Sequence, residues 1–308
     1  MLCLNESYDN HKLEDHYEIH DCFRNGGFST IFTCSKKGKQ DKEYILKLEE
    51  ITDENSEYSC QNEINIYRYL WKKNVKNLNI PFVFWNGFYK EKIYGIVLNN
   101  LGVSVDYIID TYRDISLYSF LWLAYNMLES IDRLHSLGIY HGDIKPDNFC
   151  VNVDKLYIFD FGVSSYLHEE KHYTELIGTY RYASISIHKG NIYSKYDDLE
   201  SLLYTLFYIR LLDLPWINFE QDKNKDQLIL HSKIYDIHNC LKNLPNVLKS
   251  MYRQLQNTTF KCEVILKELK ELMKNQEDKT LTWTTKVKSQ SFQKIKNVQT
   301  NTKKKESP

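Results

Sequence analysis

His141-Gly142-Asp143-Ile144-Lys145-Pro146-Asp147-Asn148, followed twelve residues after Asn148 by Asp160-Phe161-Gly162, is the stretch that decides how this chain reads. Two aspartates, a lysine and an asparagine at these spacings can assemble a phosphoryl-transfer site. In such a site one aspartate accepts the proton of an attacking hydroxyl. A lysine, an amide oxygen and a second aspartate steady the γ-phosphate and its magnesium ions. Asp143, Lys145, Asn148 and Asp160 fit those four roles. The apolar run Leu156-Tyr157-Ile158-Phe159 reads as a strand that delivers Asp160 to its end. A turn built of Asp, Asn, Pro and Gly accounts for either motif alone. Both together, in order and correctly spaced, argue for the site.

Upstream, strand-like runs at 17–23, 30–34 and 43–48 form a three-strand meander, with Arg24-Asn25-Gly26-Gly27-Phe28-Ser29 as the first turn. Gly26 and Gly27 leave backbone amides uncovered, which suits approach to phosphate, although a plain hairpin turn uses the same residues. Lys47 is the single cation in Tyr44-Ile45-Leu46-Lys47-Leu48 and needs a partner if it points inward; an edge lysine reaching solvent is the ordinary alternative. Glu63 offers that partner from a helical pattern over 58–70, carried by Ile64, Tyr67 and Leu70. Two further strands, 81–89 and 93–98, meet at a Lys90-Glu91-Lys92 turn, and Asn99 to Gly102 breaks the pattern as a hinge. The expected fold is α+β and bilobal: a small lobe with a five-stranded antiparallel sheet and one helix, and a larger, mostly helical lobe.

Downstream, apolar residues from Leu117 to Leu134 recur at helical spacing, with Gly138 as a stop. Gly178-Thr179-Tyr180-Arg181-Tyr182-Ala183-Ser184 suits a loop that receives substrate, where Arg181 is either a phosphate contact or an ordinary surface arginine. Asp197-Asp198-Leu199-Glu200-Ser201 opens a helix whose interior, 202–212, is apolar on nearly every side and therefore central. Asp198 is a candidate brace for the backbone around Gly142. The boundaries expected are an N-terminal extension at 1–16, a folded unit at 17–275 (small lobe 17–98, hinge 99–102, large lobe 103–275) and a tail at 276–308. The tail carries eight lysines against Glu277, Asp278 and Glu306, and reads as basic and solvated, with a nuclear address or contact with anionic partners as alternatives.

Forty Lys and Arg against 41 Asp and Glu give no reason to expect an obligate nucleic-acid partner. The seven cysteines contain no Cys-x-x-Cys pair, so neither a zinc site nor a disulfide framework is indicated. No run reaches the ~20 apolar residues of a membrane span, and Met1 to Lys12 lacks a secretory apolar core. A soluble intracellular monomer, cytoplasmic or nuclear, is expected.

These residues together resemble eukaryotic protein kinases of the casein kinase 1 superfamily, over about 17–274. Lys145 to Phe149, Gly178 to Ser184 in place of the usual Ala-Pro-Glu, Asp197 to Ser201, and Leu214-Pro215-Trp216 carry the likeness. Gly26-Gly27-Phe28 and His141-Gly142-Asp143 lean toward the vaccinia-related kinase branch. The resemblance implies a serine/threonine-protein kinase, a transferase that uses ATP and Mg2+ on protein Ser/Thr hydroxyls. Asp143 is then the base, Lys145 steadies the transferring phosphate, and Asn148 and Asp160 hold magnesium. Lys47, oriented by Glu63, binds the α and β phosphates. Phe23, Gly26, Gly27, Ile31, Leu98, Asn99 and Leu101 line the nucleotide site, with Leu98 as gatekeeper, and Arg181 contacts substrate.

Departures from the pattern bear on activity. Of three family glycines only Gly26 remains, between Arg24 and Ser29, which keeps open a pseudokinase that binds or scaffolds without transfer. Ile45 replaces a common alanine above adenine. Gly142 removes the arginine that clamps a phosphorylated loop, implying activity without that modification. The superfamily favours acidic or phosphorylated substrates, read by basic residues near the activation loop and beyond Leu-Pro-Trp. Thr174, Glu175 and the mixed charges of Asp222 to Asp226 weaken that preference here.

Overall fold

The computed structural model describes residues 12–25, 29–51, 59–74, 78–167, 176, 178–242 and 244–284, without the side chains of 23–25, 40 and 41. In the small lobe, strands β1 (Tyr17–Asn25), β2 (Ser29–Lys36), β3 (Lys39–Glu50), β4 (Val83–Lys90) and β5 (Ile93–Asn99) form one antiparallel sheet in the order β1-β2-β3-β5-β4. All five expected strands are present, each within a few residues of its expected ends.

Register decides which side chains face the large lobe. Ile31 lies opposite Lys47, Lys47 opposite Ile96, and Ile45 opposite Leu98. Because side chains alternate across a strand, these five residues share one face. The opposite face, with Cys34, Leu46, Leu48 and Val97, forms a separate cluster with Trp85, Tyr17 and Leu13. Leu13 sits on a single helical turn, α1 (Leu13–His16), and is fully buried. The expected N-terminal extension therefore contributes to the core before residue 17.

Helix α2 (Ser59–Lys73) buries Glu63, Ile64, Tyr67 and Leu70, the spacing expected of its inner face. After a two-residue strand β6 (Val103–Ser104) come α3 (Val105–Tyr112) and α4 (Leu117–Ser136), capped by Ser116. A hairpin follows, β8 (Phe149–Asn152) with β9 (Lys155–Ile158), and β7 (Ile139–Tyr140) pairs with β10 (Ser165–Tyr166). Helices α5 (Ile185–His188), α6 (Lys195–Leu211), α7 (Lys225–Tyr235), α8 (Ile237–Leu241), α9 (Asn246–Gln256) and α10 (Cys262–Lys274) complete the large lobe. The α6 helix starts with a capping box between Ser194 and Asp197 and is buried along most of its circumference, as its all-round apolar pattern requires. Among the described residues no helix is long and apolar enough to cross a membrane.

Packing continues past the expected boundary at 275. Leu281 and Trp283 are buried, the Trp283 ring stands 5.6 Å from that of Trp122 on α4, and its Nε1 donates to the Val153 carbonyl at 3.1 Å. Thr282 exchanges hydrogen bonds with Ser116 and Ser119 at the start of α4. An aromatic and a leucine in a polar, lysine-rich stretch are enough to dock it, so residues 276–284 belong to the large lobe.

Candidate active site

The hairpin β8–β9 and the 3-10 turn Pro146–Asn148 place the two motifs beside each other beneath the small-lobe sheet. Ile158 ends β9, and Asp160, two residues on, adopts φ 66, a left-handed backbone that non-glycine residues seldom take. Lys47 reaches it from β3: its Nζ donates to Asp160 Oδ1 at 2.8 Å and to Glu63 Oε2 at 2.8 Å. The inward reading of Lys47 therefore holds over the solvent-facing one, since the residue is 8% exposed. Burial lowers the Lys47 pKa, but Asp160 and Glu63 overbalance it and hold the amine above its ordinary value, fully charged. Burial likewise raises the Asp160 carboxyl, yet the Lys47 charge and hydrogen bond bring it down to about 2. Glu63 also accepts from Tyr67 Oη at 2.8 Å, one turn along α2.

Asp143 is held from three sides. Its Oδ2 accepts from Lys145 Nζ at 2.5 Å and from Asn148 Nδ2 at 3.2 Å, and its Oδ1 accepts from Thr179 Oγ1 at 2.8 Å. Lys145 Nζ also donates to Thr179 Oγ1 at 3.0 Å. The Asn148 amide nitrogen donates to the Asp143 carbonyl at 2.7 Å, which leaves Oδ1 as the atom with ligand chemistry. Asn148 Oδ1 and the Asp160 carboxylate suit a magnesium ion, which takes few protein oxygens and completes its octahedron with phosphate and water. Among the described residues no cluster of three or more His, Cys, Asp or Glu could hold a metal.

The loop carrying Asp143 is braced from α6. Asp198 accepts from the backbone N–H groups of His141 and Gly142 at 2.8 and 3.0 Å, from Tyr193 Oη at 2.8 Å, and pairs with His135 at 2.9 Å. This is the brace expected of it. Gly142 has φ 88, and a Cβ there would lie 2.8 Å from the Val163 carbonyl oxygen, so the loop in this conformation requires glycine. His141 is fully buried; its Nε2 donates to the Phe159 carbonyl at 3.1 Å, while Nδ1 accepts from Asp143 N–H at 3.3 Å, a tautomer assigned from its partners.

Ile31, Leu98, Asn99 and Leu101 lie on β2, at the end of β5 and just after it. Leu98 and Leu101 are buried, and Ile31 and Leu98 share the sheet face of Lys47. In the hinge, Asn99 N–H donates to the Phe82 carbonyl at 3.2 Å and its side chain accepts from Phe82 N–H at 2.6 Å. Gly26 and Gly27 lie outside the described residues, and of Phe23 only the backbone place in β1 is described.

Arg181 is paired within the chain. Its guanidinium makes a bidentate pair with Glu220, Nε to Oε1 and Nη2 to Oε2, both at 2.7 Å, and lies over the rings of Tyr182 and Tyr208. A carboxylate of the chain itself already fills the fork that a substrate phosphate would take. Glu220 lies 39 residues away with no local pattern to announce the pairing. Lys233 was equally hidden: fully buried, it donates to the Tyr180 and Ala183 carbonyls at 2.8 and 2.5 Å beneath the same loop. Thr179 and Tyr67 were legible in principle, one inside a quoted motif and the other four residues after Glu63.

A sequence model of the family described as protein kinase domain matches residues 17–293.

Proposed function

Because this chain belongs to the protein kinase family, we propose that it is an active serine/threonine kinase of casein kinase 1 type, with Asp143 as the base. Family membership brings ATP as the phosphoryl donor and protein as the substrate class. The carrying observation is the joint assembly of Lys47, Glu63 and Asp160 with Asp143, Lys145, Thr179 and Asn148 in one cleft. A module used only for binding has no need of a carboxylate held by three donors.

Asp143 takes the proton of the attacking hydroxyl as its oxygen bonds to the γ-phosphorus and the bond from that phosphorus to the β,γ-bridging oxygen breaks, with ADP as the leaving group. Lys145, hydrogen-bonded to both Asp143 and Thr179, balances charge on the transferring group. Lys47 holds the α and β phosphates, and Glu63 keeps it extended. Asn148 and Asp160 would hold magnesium, which would supply charge shielding to the phosphates.

The motifs behind the casein kinase 1 reading also behave as one unit. Trp216 Nε1 donates to the Arg181 carbonyl at 2.8 Å, Ser184 Oγ to Asp197, and Ile185 N–H to Glu200. Gly142 supports activity of the protein without loop phosphorylation, since no arginine stands there to receive a phosphate.

Purified protein incubated with labelled ATP, magnesium and a mixed peptide library is expected to label serine and threonine. Label on tyrosine alone sinks the specificity. No label, with a melting temperature that still rises in Mg-ATP, identifies the binding-only pseudokinase instead.

The Arg181–Glu220 pair sets a further expectation. Glu220→Gln frees one side of the guanidinium fork, so the KM for a peptide with phosphoserine near the acceptor should fall by roughly three- to tenfold. Steady-state kinetics against the unphosphorylated peptide provide the comparison, and equal changes for both peptides would remove Arg181 from substrate selection.

A further inference from the structure

Asn62 precedes Glu63 on α2, and its side chain is turned onto the backbone that follows Asp160. Its Nδ2 lies 3.2 Å from the Phe161 carbonyl oxygen, 3.0 Å from that of Gly162 and 2.8 Å from that of Ser164. Three carbonyls converging on one atom admit only the amide nitrogen, whose two hydrogens they share. The helix comes this close because Gly162 has no Cβ; one built there would lie 2.9 Å from Ser59 Cβ.

The start of α2 is held independently. Glu49 on β3 accepts from Ser59 N–H at 3.0 Å, Ser59 Oγ at 2.8 Å and Cys60 N–H at 2.6 Å. A carboxylate at a helix N-terminus satisfies unpaired N–H groups and faces the positive end of the dipole. Glu49 thus ties α2 to the sheet, and Asn62 ties it to the segment after Asp160.

We propose that Asn62 is a positioning residue for phosphoryl transfer, linking α2 to the Asp160-Phe161-Gly162 backbone so that Glu63, Lys47 and Asp160 are set together. This rests on reading Lys47 and Asp160 as the groups that handle ATP and magnesium. The Lys47–Asp160 contact also spans the small lobe and this segment, but on that reading Lys47 is shared with the phosphates of bound ATP. The Asn62 bonds run to main chain and do not compete with the nucleotide. They keep α2 and the segment in register at the moment the ion pair is redistributed.

The test compares full-length wild type with Asn62→Asp, Asn62→Ala and Asn62→Gln, measuring KM for ATP and for a peptide substrate, and the melting temperature with and without Mg-ATP. Asn62→Asp turns a carboxylate onto three carbonyl oxygens. Its KM for ATP is expected to rise roughly tenfold, with KM for peptide within about twofold and a smaller melting gain from Mg-ATP. Asn62→Ala should fall between, and Asn62→Gln, which retains an amide donor, should recover part of the loss. An unchanged KM for ATP in Asn62→Asp overturns the assignment, as does an equal rise in both KM values, or a Gln variant as impaired as Asp. An inactive wild type with no response to Mg-ATP removes the nucleotide reading and this inference with it. An active wild type with silent variants removes Asn62 alone.

Discussion

Asp143→Asn is expected to lower kcat by about 10²–10⁴-fold while leaving the fold and ATP affinity nearly intact. Asparagine matches aspartate in shape: its one oxygen can keep the Lys145 bond, while its amide nitrogen faces Thr179 Oγ1, which can accept from it. What it lacks is the ability to accept a proton as the substrate oxygen attacks. In the function proposed above ATP is held elsewhere, by the Lys47, Glu63 and Asp160 group, and Asp160 is separated from Asp143 along the chain by the β8–β9 hairpin. KM for ATP should therefore stay within about threefold, the pattern of an interaction made chiefly in the transition state. Steady-state kinetics together with a melting curve in Mg-ATP decide the matter. A variant that retains more than about a third of wild-type kcat would show that another group takes the proton.

Asp198→Ala should cost about 3–5 kcal/mol of stability and most of the activity. The carboxylate is fully buried, and its removal strands the N–H groups of His141 and Gly142, the Tyr193 hydroxyl and the His135 ring nitrogen together. Leaving buried donors unpaired costs ~1–3 kcal/mol each, partly recovered by relaxation. Asp198→Asn retains an acceptor but must aim its amide at donors, and is expected to fall between. Urea unfolding measures both, and a loss under about 1 kcal/mol for Asp198→Ala would mean that α6 does not brace the loop.

Stability should also depend on pH through this residue. Burial raises the Asp198 pKa, but the hydrogen bond and charge of His135, with the backbone N–H of His141, bring it below the ordinary 3.8. A carboxyl whose folded pKa is depressed contributes its full stability above the ordinary value. It loses that contribution as pH falls through the folded value. The stability gap between wild type and Asp198→Asn should therefore be constant above about pH 5 and narrow as pH falls below about 4.

Much of the architecture was legible. The five strands, the α2 helix and the long α4 and α6 helices follow from periodicity, because each buries one face or, for α6, nearly all of its surface. Boundaries were read less well where a few residues act alone. One leucine at 13 covers the outer face of the sheet, and Leu281 with Trp283 docks the start of a stretch whose overall composition is polar and basic. Average composition does not register a single anchoring side chain.

The same division runs through the site. Asp143, Lys145 and Asn148 fall within six residues, and Asp160 follows at a hairpin's distance; local backbone geometry alone brings them near one another, so spacing in the chain carries the information. Lys47 and Glu63 needed one further premise, that a lone cation in an apolar strand must find a partner. Gly142 was noticed in the sequence for the arginine it lacks, whereas the structure supplies the cause, a carbonyl oxygen where a Cβ would stand. Arg181 shows the limit most plainly. Its residue type and place announce an anion partner, and the packing of the chain beyond α6 brings Glu220 onto it. Asn62 meets carbonyls about a hundred residues away in the same manner. The sequence by itself determined the chemistry available to this protein, because that chemistry is carried by residue types at short, fixed separations. Which charges are already paired, and which helix is tied to which loop, was decided only by tertiary packing, since contacts across such separations leave no periodic or local trace.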